Sequence, residues 1–379
     1  MMDNMLQKII DFIKKETVLT IATVLAVVSA FWVHPGRQYV DYIDWRVLGI
    51  LLSLMLIVAG FQSNGLFDAI GSRLLAKTKN TAQLMLVLVF LCFFSSMFIT
   101  NDVALLTFVP FACTILQKCH QERLIVTAFV LQTLAANLGS MLTPIGNPQN
   151  LYLYSISGAG LGEFVGWMAP YTLVSGVLLL LVVFVLSAGK RRISLETGAL
   201  LQTPGAAGRK KSGIYLALFV LSLLSVARVL PWKLMLAVVL IVLIFTDRAV
   251  FLQVDYCLLF TFISFFIFIG NMGNIEAVRS VLQSLVAGRE LAVGIGASQI
   301  ISNVPATLLL ADFTQDIKNL TIGVNLGGLG TLIASMASLI SYKIYAHNYN
   351  KTKGHYLLWF TIANVLFLAV LVLVYVFIS

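Results

Sequence analysis

Long apolar runs alternate with short polar segments along almost the whole chain. A helix needs about 20 mostly apolar residues to cross roughly 30 Å of hydrocarbon, and runs of that kind recur from Thr17 to the C-terminus. They predict an all-α membrane protein with nine spanning helices, at residues 17–33, 46–62, 124–154, 169–188, 213–229, 233–249, 256–271, 322–345 and 356–378.

Two further apolar stretches, 84–117 and 291–311, each have a polar centre. Their halves are too short to span a bilayer comfortably, so each stretch is predicted to form a re-entrant helical hairpin. The tips would lie at Thr100 to Val103 and at Ser302 to Pro305. Irregular backbone at membrane depth is tolerated only where it is buried in protein or lines a cavity. Both tips are therefore expected at a wet or protein-lined site.

Three sequence blocks recur in the same order within residues 43–154 and 254–345. The matched blocks are Ile43-Asp44-Trp45 with Val254-Asp255-Tyr256, Ile99-Thr100-Asn101 with Ile301-Ser302-Asn303, and Asn137-Leu138-Gly139 with Asn325-Leu326-Gly327. The span order makes the first repeat begin outside the membrane and the second begin inside, so the repeats are inverted. Inverted repeats are typical of secondary transporters, which bind substrate and coupling ions near the midplane at interrupted helices.

Composition narrows the class of protein, and the distribution of charge predicts how the chain is oriented in the membrane. With 59% hydrophobic residues, 11% charged residues and a mean hydropathy of +0.95, the chain cannot cover a water-facing surface. The net charge of +9 comes from basic residues in short loops, which does not favour a nucleic-acid partner. A cytoplasmic N-terminus and an outside C-terminus place 18 of the 25 Lys and Arg inside, as the positive-inside rule requires.

The chain is expected to divide into four parts. Residues 1–16 would form an amphipathic helix on the inner surface, residues 17–188 and 213–379 the two halves, and residues 189–212 a basic cytoplasmic linker. No metal-ligand spacing links the histidines and cysteines, so neither a metal site nor a cofactor is expected. The expected location is the inner membrane.

The candidate site lies at four interruptions. In the first repeat, two prolines and a glycine between Thr143 and Asn150 cannot continue a helix without freeing carbonyls, and in the second, glycines precede Thr331. Free helix N-termini favour anions, while freed carbonyls and side-chain oxygens favour sodium. The candidate substrate- and ion-binding residues are Thr100, Asn101, Asp102, Asn137, Thr143, Gly146, Asn147, Gln149, Asn150, Ser302, Asn303, Asn325, Gly327, Gly328 and Thr331.

Asp102 is the single acidic residue predicted at membrane depth. Such a residue costs on the order of 2.5 to 3.5 kcal/mol on insertion scales and is by default a functional candidate. It could bind a proton or a sodium ion, with Asn101 and Asn303 as further sodium ligands. Alternatively, Asp102 caps the second helix of its hairpin, as aspartate often does.

Three motifs carry a resemblance to the ion transporter superfamily, which includes arsenite permeases, sodium/proton antiporters and divalent anion/sodium symporters. They are Thr-Asn-Asp-Val-Ala at 100–104, Thr-Pro-Ile-Gly-Asn-Pro-Gln-Asn at 143–150 and Ser-Asn-Val-Pro-Ala at 302–306. The resemblance implies a homodimer in which a mobile transport part moves against a scaffold by an elevator-like shift. It also implies one site at Thr100, Asn101, Thr143, Gly146 and Asn147, and a second at Ser302, Asn303, Gly327, Gly328 and Thr331.

The leading functional hypothesis is a carrier for a small inorganic or carboxylate anion, coupled to sodium or protons. The dicarboxylate symporters typically have Ser-Asn-Thr at both tips, so Thr-Asn-Asp resembles the arsenite permease and antiporter branches more closely. The alternative is therefore a sodium/proton antiporter or arsenite-type efflux permease that uses Asp102 as the exchanging carboxylate. A channel with the two tips as a fixed filter is a further alternative. An enzyme is not expected, because no catalytic constellation lies at one depth.

Overall fold

The structure is a computed structural model that describes residues 16–186 and 206–378, together with Gln7 and Ile13. Most of the predicted interfacial helix at 1–16 and most of the predicted linker at 189–212 lie outside the described residues. The described part is helical and contains no strand, which confirms the all-α class.

The α-helices of the described part are α1 (Thr17–Ser29), α2 (Gln38–Asp41), α3 (Trp45–Ser63), α4 (Leu66–Leu75), α5 (Thr81–Ser95), α6 (Asn101–Lys118), α7 (Ile125–Ser140), α8 (Pro148–Ser157), α9 (Leu161–Leu186), α10 (Ala206–Val226), α11 (Trp232–Thr246), α12 (Tyr256–Gly273), α13 (Glu276–Val286), α14 (Glu290–Ile301), α15 (Asn303–Ala311), α16 (Ile317–Leu326), α17 (Met336–Asn348) and α18 (Lys353–Ile378). Short 3-10 helices lie at Glu122–Leu124, Arg248–Leu252, Leu332–Ala334 and Asn350–Thr352.

Several apolar helices are consistent with a membrane protein. Among the described residues, five helices are long and apolar enough to cross a membrane, namely Trp45–Ser63, Glu122–Ser140, Leu161–Leu186, Tyr256–Gly273 and Lys353–Ile378. Shorter apolar helices include Thr17–Ser29, Thr81–Ser95 and Trp232–Thr246. The arrangement of nine spans in two inverted repeats stays a prediction.

Some predicted bounds differ from the helices in the structure. The span predicted at 169–188 begins at Leu161, because Gly158 ends the preceding helix in a left-handed conformation and the next helix starts almost at once. The span predicted at 17–33 ends as a helix at Ser29. The two spans predicted at 124–154 and 322–345 are each divided into two helices by a break.

The helices pack in two groups. We call α1, α3, α10, α11 and α12 the frame group, and α5–α9 with α14–α18 the hairpin group. Hairpin 1 is the pair α5 and α6, and hairpin 2 is the pair α14 and α15. The groups touch where α8 packs on α3 and where α15 packs on α12. The short helices α4 and α13 connect the groups along the chain, each leading from a frame helix to a hairpin.

Arg228 adds a polar contact between the groups. It lies in the turn between α10 and α11, and its guanidinium donates to the carbonyls of Tyr154, at 2.9 Å, and Gly158, at 3.2 Å. These carbonyls belong to the C-terminal end of α8, where a positive charge is favourable. The frame group therefore holds the end of a hairpin-group helix.

Gly139 sets the distance between α7 and hairpin 1. A Cβ atom added to Gly139 would lie 2.0 Å from the carbonyl oxygen of Phe93 on α5. Because that neighbour is backbone, it cannot be displaced by a rotamer change. The two helices can approach this closely only because residue 139 has no side chain.

We predict that Gly139→Ala separates α5 from α7 and lowers stability by about 1–3 kcal/mol, the usual range for overpacking. Thermal unfolding of the purified protein in detergent measures this loss. Gly166→Ala is the matched control, because a Cβ there meets nothing within 4 Å and helical alanine is favoured over glycine by about 0.5–1 kcal/mol. Equal melting temperatures for the two variants would contradict the prediction.

Candidate functional site

Two helix breaks lie at the centre of the hairpin group. Break 1 comprises residues 141–147 between α7 and α8, and break 2 comprises residues 327–335 between α16 and α17. Helix α8 packs against α16, and α17 packs against α7. Each half of one broken helix therefore lies against a half of the other.

Asn325 on α16 joins the two breaks. Its Oδ1 accepts from Nδ2 of Asn147 at 3.2 Å, and its Nδ2 donates to Oδ1 of Asn150 at 2.7 Å. All three side chains are buried. Asn147 also caps α8 by accepting from the amide of Asn150 at 2.9 Å. The start of α8 is thus fixed by a side chain from the other half of the chain.

Asn137 on α7 makes the reciprocal contacts. Its Oδ1 accepts from Oγ of Ser335 at 3.0 Å, and its Nδ2 donates to Oγ of Ser338 at 3.2 Å. Ser335 and Ser338 begin α17 just as Asn147 and Asn150 begin α8. We call these six residues the polar crossing; its members are Asn137, Asn147, Asn150, Asn325, Ser335 and Ser338.

Ser335 and Ser338 were not among the predicted site residues, although the repeat marks their positions. They follow Asn325 at the same separations at which Asn147 and Asn150 follow Asn137. Extending the alignment of the repeats through the second break would have found them. Serine in place of asparagine, together with the absence of proline, concealed the match.

The carbonyls freed by each break are satisfied by a side-chain carboxamide. In break 1, Nδ2 of Asn150 donates to the carbonyls of Met141, at 3.0 Å, and Thr143, at 3.1 Å. In break 2, Nε2 of Gln299 donates to the carbonyls of Gly327, at 2.8 Å, and Leu329, at 2.9 Å. Gln299 was not among the predicted residues. No local pattern marks it, since its partners Gly327 and Leu329 lie 28 and 30 residues further along the chain.

The tip of hairpin 1 is attached to break 1. The amide of Asn101 donates to the carbonyl of Gly146 at 3.1 Å, and its Nδ2 donates to Asn137 at 3.1 Å. The hydroxyl of Thr143 donates to the carbonyl of Met97. Gly146 has no room for a side chain, because a Cβ atom would lie 2.1 Å from the carbonyl oxygen of Ser140.

The tip of hairpin 2 is attached to break 2 in a similar way. Ser302 adopts the left-handed region, with φ +73°, and its hydroxyl donates to the carbonyl of Ala334 at 3.5 Å. Thr331 donates through its hydroxyl to the carbonyl of Gln299 at 3.3 Å. Asn303 is buried beside Gly328, where a Cβ atom would lie 2.9 Å from Nδ2 of Asn303.

Asp102 stands apart from these contacts. Thr100, and not Asp102, occupies the N-cap position of α6, and the amide of Asp102 donates to Oδ1 of Asn101 at 3.0 Å. Oδ1 of Asp102 is buried and has no hydrogen-bond partner among the described residues. Capping therefore does not explain the carboxylate.

Asp102 lines a cavity of about 180 Å³ between the two groups. Its walls come from α3, the tip of hairpin 1, the start of α12 and the start of α17. The polar lining residues are Gln62, Thr100, Asp102, Gln253 and Asp255, and the described lining contains no lysine or arginine. The cavity thus combines two carboxylates with mainly apolar walls.

Hydrogen bonds link many of the predicted residues, but they do not link the side chains of the three predicted sodium ligands to one another. The described hydrogen bonds do not join the side chains of Asn101, Asp102 and Asn303: Asn101 binds Asn137, Asp102 faces the cavity, and Asn303 lies beside break 2. Gln149 is buried on α8. A shared sodium site at the three residues stays a prediction.

The sequence is similar to known membrane proteins over most of its length. Residues 5–319 match the family described as Citrate transporter. The chain belongs to the citrate transporter family. This citrate transporter family member is 33% identical over 324 residues to the inner membrane protein YbiR of Escherichia coli, covering 83% of this chain and 84% of that protein. It is 32% identical over 337 residues to an uncharacterized transporter of Methanocaldococcus jannaschii, covering 87% and 89%.

These relatives confirm the predicted resemblance at the level of the family. An uncharacterized transporter of Mycobacterium tuberculosis is also similar, with 25% identity over 345 residues, or 79% of this chain and 78% of that protein. The family and the relatives from Methanocaldococcus jannaschii and Mycobacterium tuberculosis are described as transporters, and the Escherichia coli relative is described as an inner membrane protein. The citrate transporter family member is therefore a membrane transporter.

We predict that Asn325→Leu destabilises the polar crossing. The change removes the partner of Oδ1 of Asn150 and one of the two acceptors of Nδ2 of Asn147, which keeps Oγ of Ser140. An orphaned buried group costs about 1–3 kcal/mol. Thermal unfolding in detergent is the measurement. Asn348→Leu, at an exposed position near the end of α17, is the control and should leave the melting temperature nearly unchanged. A control-like result for Asn325→Leu would count against the crossing as a stabilising element.

Proposed function

We propose that the chain is a cation-coupled secondary transporter in which Asp102 is the coupling carboxylate. The observation that supports this most strongly is the buried, unpartnered Oδ1 of Asp102 at the wall of the cavity. An unpaired charge at membrane depth is costly, and binding a proton or a sodium ion removes that cost. Asp102 therefore has a physical reason to take up a cation.

The proposed architecture is nine spanning helices and two re-entrant hairpins in inverted repeats. It is supported by the order of elements, since a span, a short helix, a hairpin and a broken helix follow one another from α3 to α8 and again from α12 to α17. The reciprocal contacts of Asn137 and Asn325 add support. The distribution of Lys and Arg supports a cytoplasmic N-terminus and an outside C-terminus.

The proposed transport motion is an elevator-like shift of the hairpin group against the frame group. Within the hairpin group, side-chain hydrogen bonds join both tips and both breaks. Between the groups lie the cavity and a limited contact at α8 and α15. The connecting helices α4 and α13 could tilt while both groups stay intact.

In the proposed orientation, the structure represents an inward-facing state. Helices α8 and α15 would belong to the outer half of the bilayer, and both contact the frame group. The cavity would open to the inner half, between α3, the start of α12 and hairpin 1. Asp102, which lines this cavity together with Gln62 and Asp255, would then be accessible from the cytoplasmic side.

The lining of the cavity limits the charge of the substrate. With Asp102 and Asp255 present and no basic side chain in the described lining, a small anion or oxyanion needs the coupling cation to balance its charge. This dependence favours a transporter that moves the anion only together with the coupling cation. The same lining favours the second candidate, a sodium/proton antiporter or arsenite-type efflux permease, in which Asp102 exchanges its cation directly. A homodimer, as the family resemblance implies, is part of the proposal.

We predict that Asp102→Asn abolishes gradient-driven transport, because asparagine cannot bind a proton or hold a sodium ion by charge. Proteoliposomes with imposed sodium or proton gradients would be tested with labelled citrate, phosphate, arsenite and sodium. Coupled flux should fall to background in Asp102→Asn and persist partly in Asp102→Glu.

Asp41→Asn is the control, since Asp41 is exposed on α2. Undiminished coupled flux in Asp102→Asn would refute the role of Asp102. If sodium exchanges for protons but no anion moves, the second candidate replaces the first. Flux that never accumulates against a gradient would indicate a channel.

A further inference from the structure

Gln299 is inserted into break 2 by its whole carboxamide. Besides the two bonds that Nε2 donates to Gly327 and Leu329, Oε1 accepts from the amide of Thr331 at 2.8 Å. Gly330 makes room for it with φ +106°, since a Cβ atom there would lie 2.4 Å from Oε1. The side chain thus satisfies two freed carbonyls and one freed amide of the same break.

Freed carbonyls at a helix break are the groups with which transporters coordinate sodium. In break 2, the positive end of an amide dipole already contacts two of them at 2.8 and 2.9 Å. Nε2 occupies one lone pair of each oxygen, and its positive N–H end opposes a cation that approaches the same two oxygens. The break is therefore stable with no ion, because Gln299 supplies the donors that the carbonyls require.

The first half of the chain is built differently. Met97 takes the position that Gln299 holds relative to the second tip, and break 1 is satisfied from within its own helix by Asn150. Hairpin 1 is left with Asp102 facing the cavity, whereas Val304 takes the corresponding position in hairpin 2 and is buried. Only the first tip presents a charge that a cation could neutralise.

We propose that Gln299 is a built-in substitute for a coupling cation in the second half-site, so that the carrier uses one coupling ion per cycle, bound at Asp102. The number of coupling ions rests on the proposed function of Asp102. The replacement of a cation by Gln299 in break 2 is independent of that function, and it can be tested without measuring transport.

The first test measures thermal stability in detergent, in sodium chloride and in choline chloride of equal ionic strength. Gln299→Met gives the residue found at the matching position of the first half, and removes both donors. The variant should melt lower in choline and gain at least about 2–4 °C more than the wild type on adding sodium, equivalent to about 1 kcal/mol of ion binding in a large chain. Gln299→Glu should behave likewise, because a carboxylate beside two carbonyls requires a cation or a proton.

Gln38→Met is the control, since Gln38 is exposed on α2, and it should respond to sodium as the wild type does. Any sodium-dependent rise in the wild type should disappear in Asp102→Asn. The proposal is overturned if the Gln299 variants respond to sodium no more than the wild type. It is also overturned if a wild-type rise survives Asp102→Asn, because a second cation site would then exist.

The second test does not depend on the variants folding. Coupled flux by the wild type in proteoliposomes should rise with the driving cation with a Hill coefficient near one, and a coefficient clearly above one would overturn the proposal. If no coupled flux occurs, the proposed function fails, and the stability test alone decides whether Gln299 replaces a cation in break 2.

Discussion

The need to pair every buried backbone group governs the centre of this transporter. Two broken helices free carbonyls and amides far from water, where an unsatisfied group costs several kcal/mol. Asn150 and Gln299 supply donors to the freed carbonyls, and Asn137 and Asn325 fasten each broken helix to the start of the other. Further hydrogen bonds attach the tip of hairpin 1 to break 1 and the tip of hairpin 2 to break 2, so both tips and both breaks belong to one bonded network.

The helices divide into two groups because the dense hydrogen bonding around the breaks stays within the hairpin group. Within the hairpin group, close backbone approaches such as that at Gly139 and the polar crossing both oppose separation of the helices. Between the groups, the polar contact of Arg228 with the end of α8 lies at one side and an open cavity lies at the other. A structure held firmly inside one group and loosely between groups deforms most easily at their boundary.

The sequence allowed much of this to be predicted, because apolar length and proline chemistry are local signals. The hairpins, break 1 with Pro144 and Pro148, and the pairing of Asn137 with Asn325 as repeat partners could be read directly. Gln299 could not, since its partners Gly327 and Leu329 lie 28 and 30 residues away and are chosen by tertiary packing. The N-cap position considered for Asp102 is occupied by Thr100, a distinction that depends on where α6 begins.

The polar crossing also constrains how the protein is made. Asn137 is 198 and 201 residues away from Ser335 and Ser338, its partners in the crossing. During synthesis, α7 is complete long before those serines leave the ribosome. Until then, the amide of Asn137 needs water or a temporary protein partner. The first half therefore passes through an intermediate in which water or another protein satisfies this amide, and the polar crossing is complete only when the second half arrives.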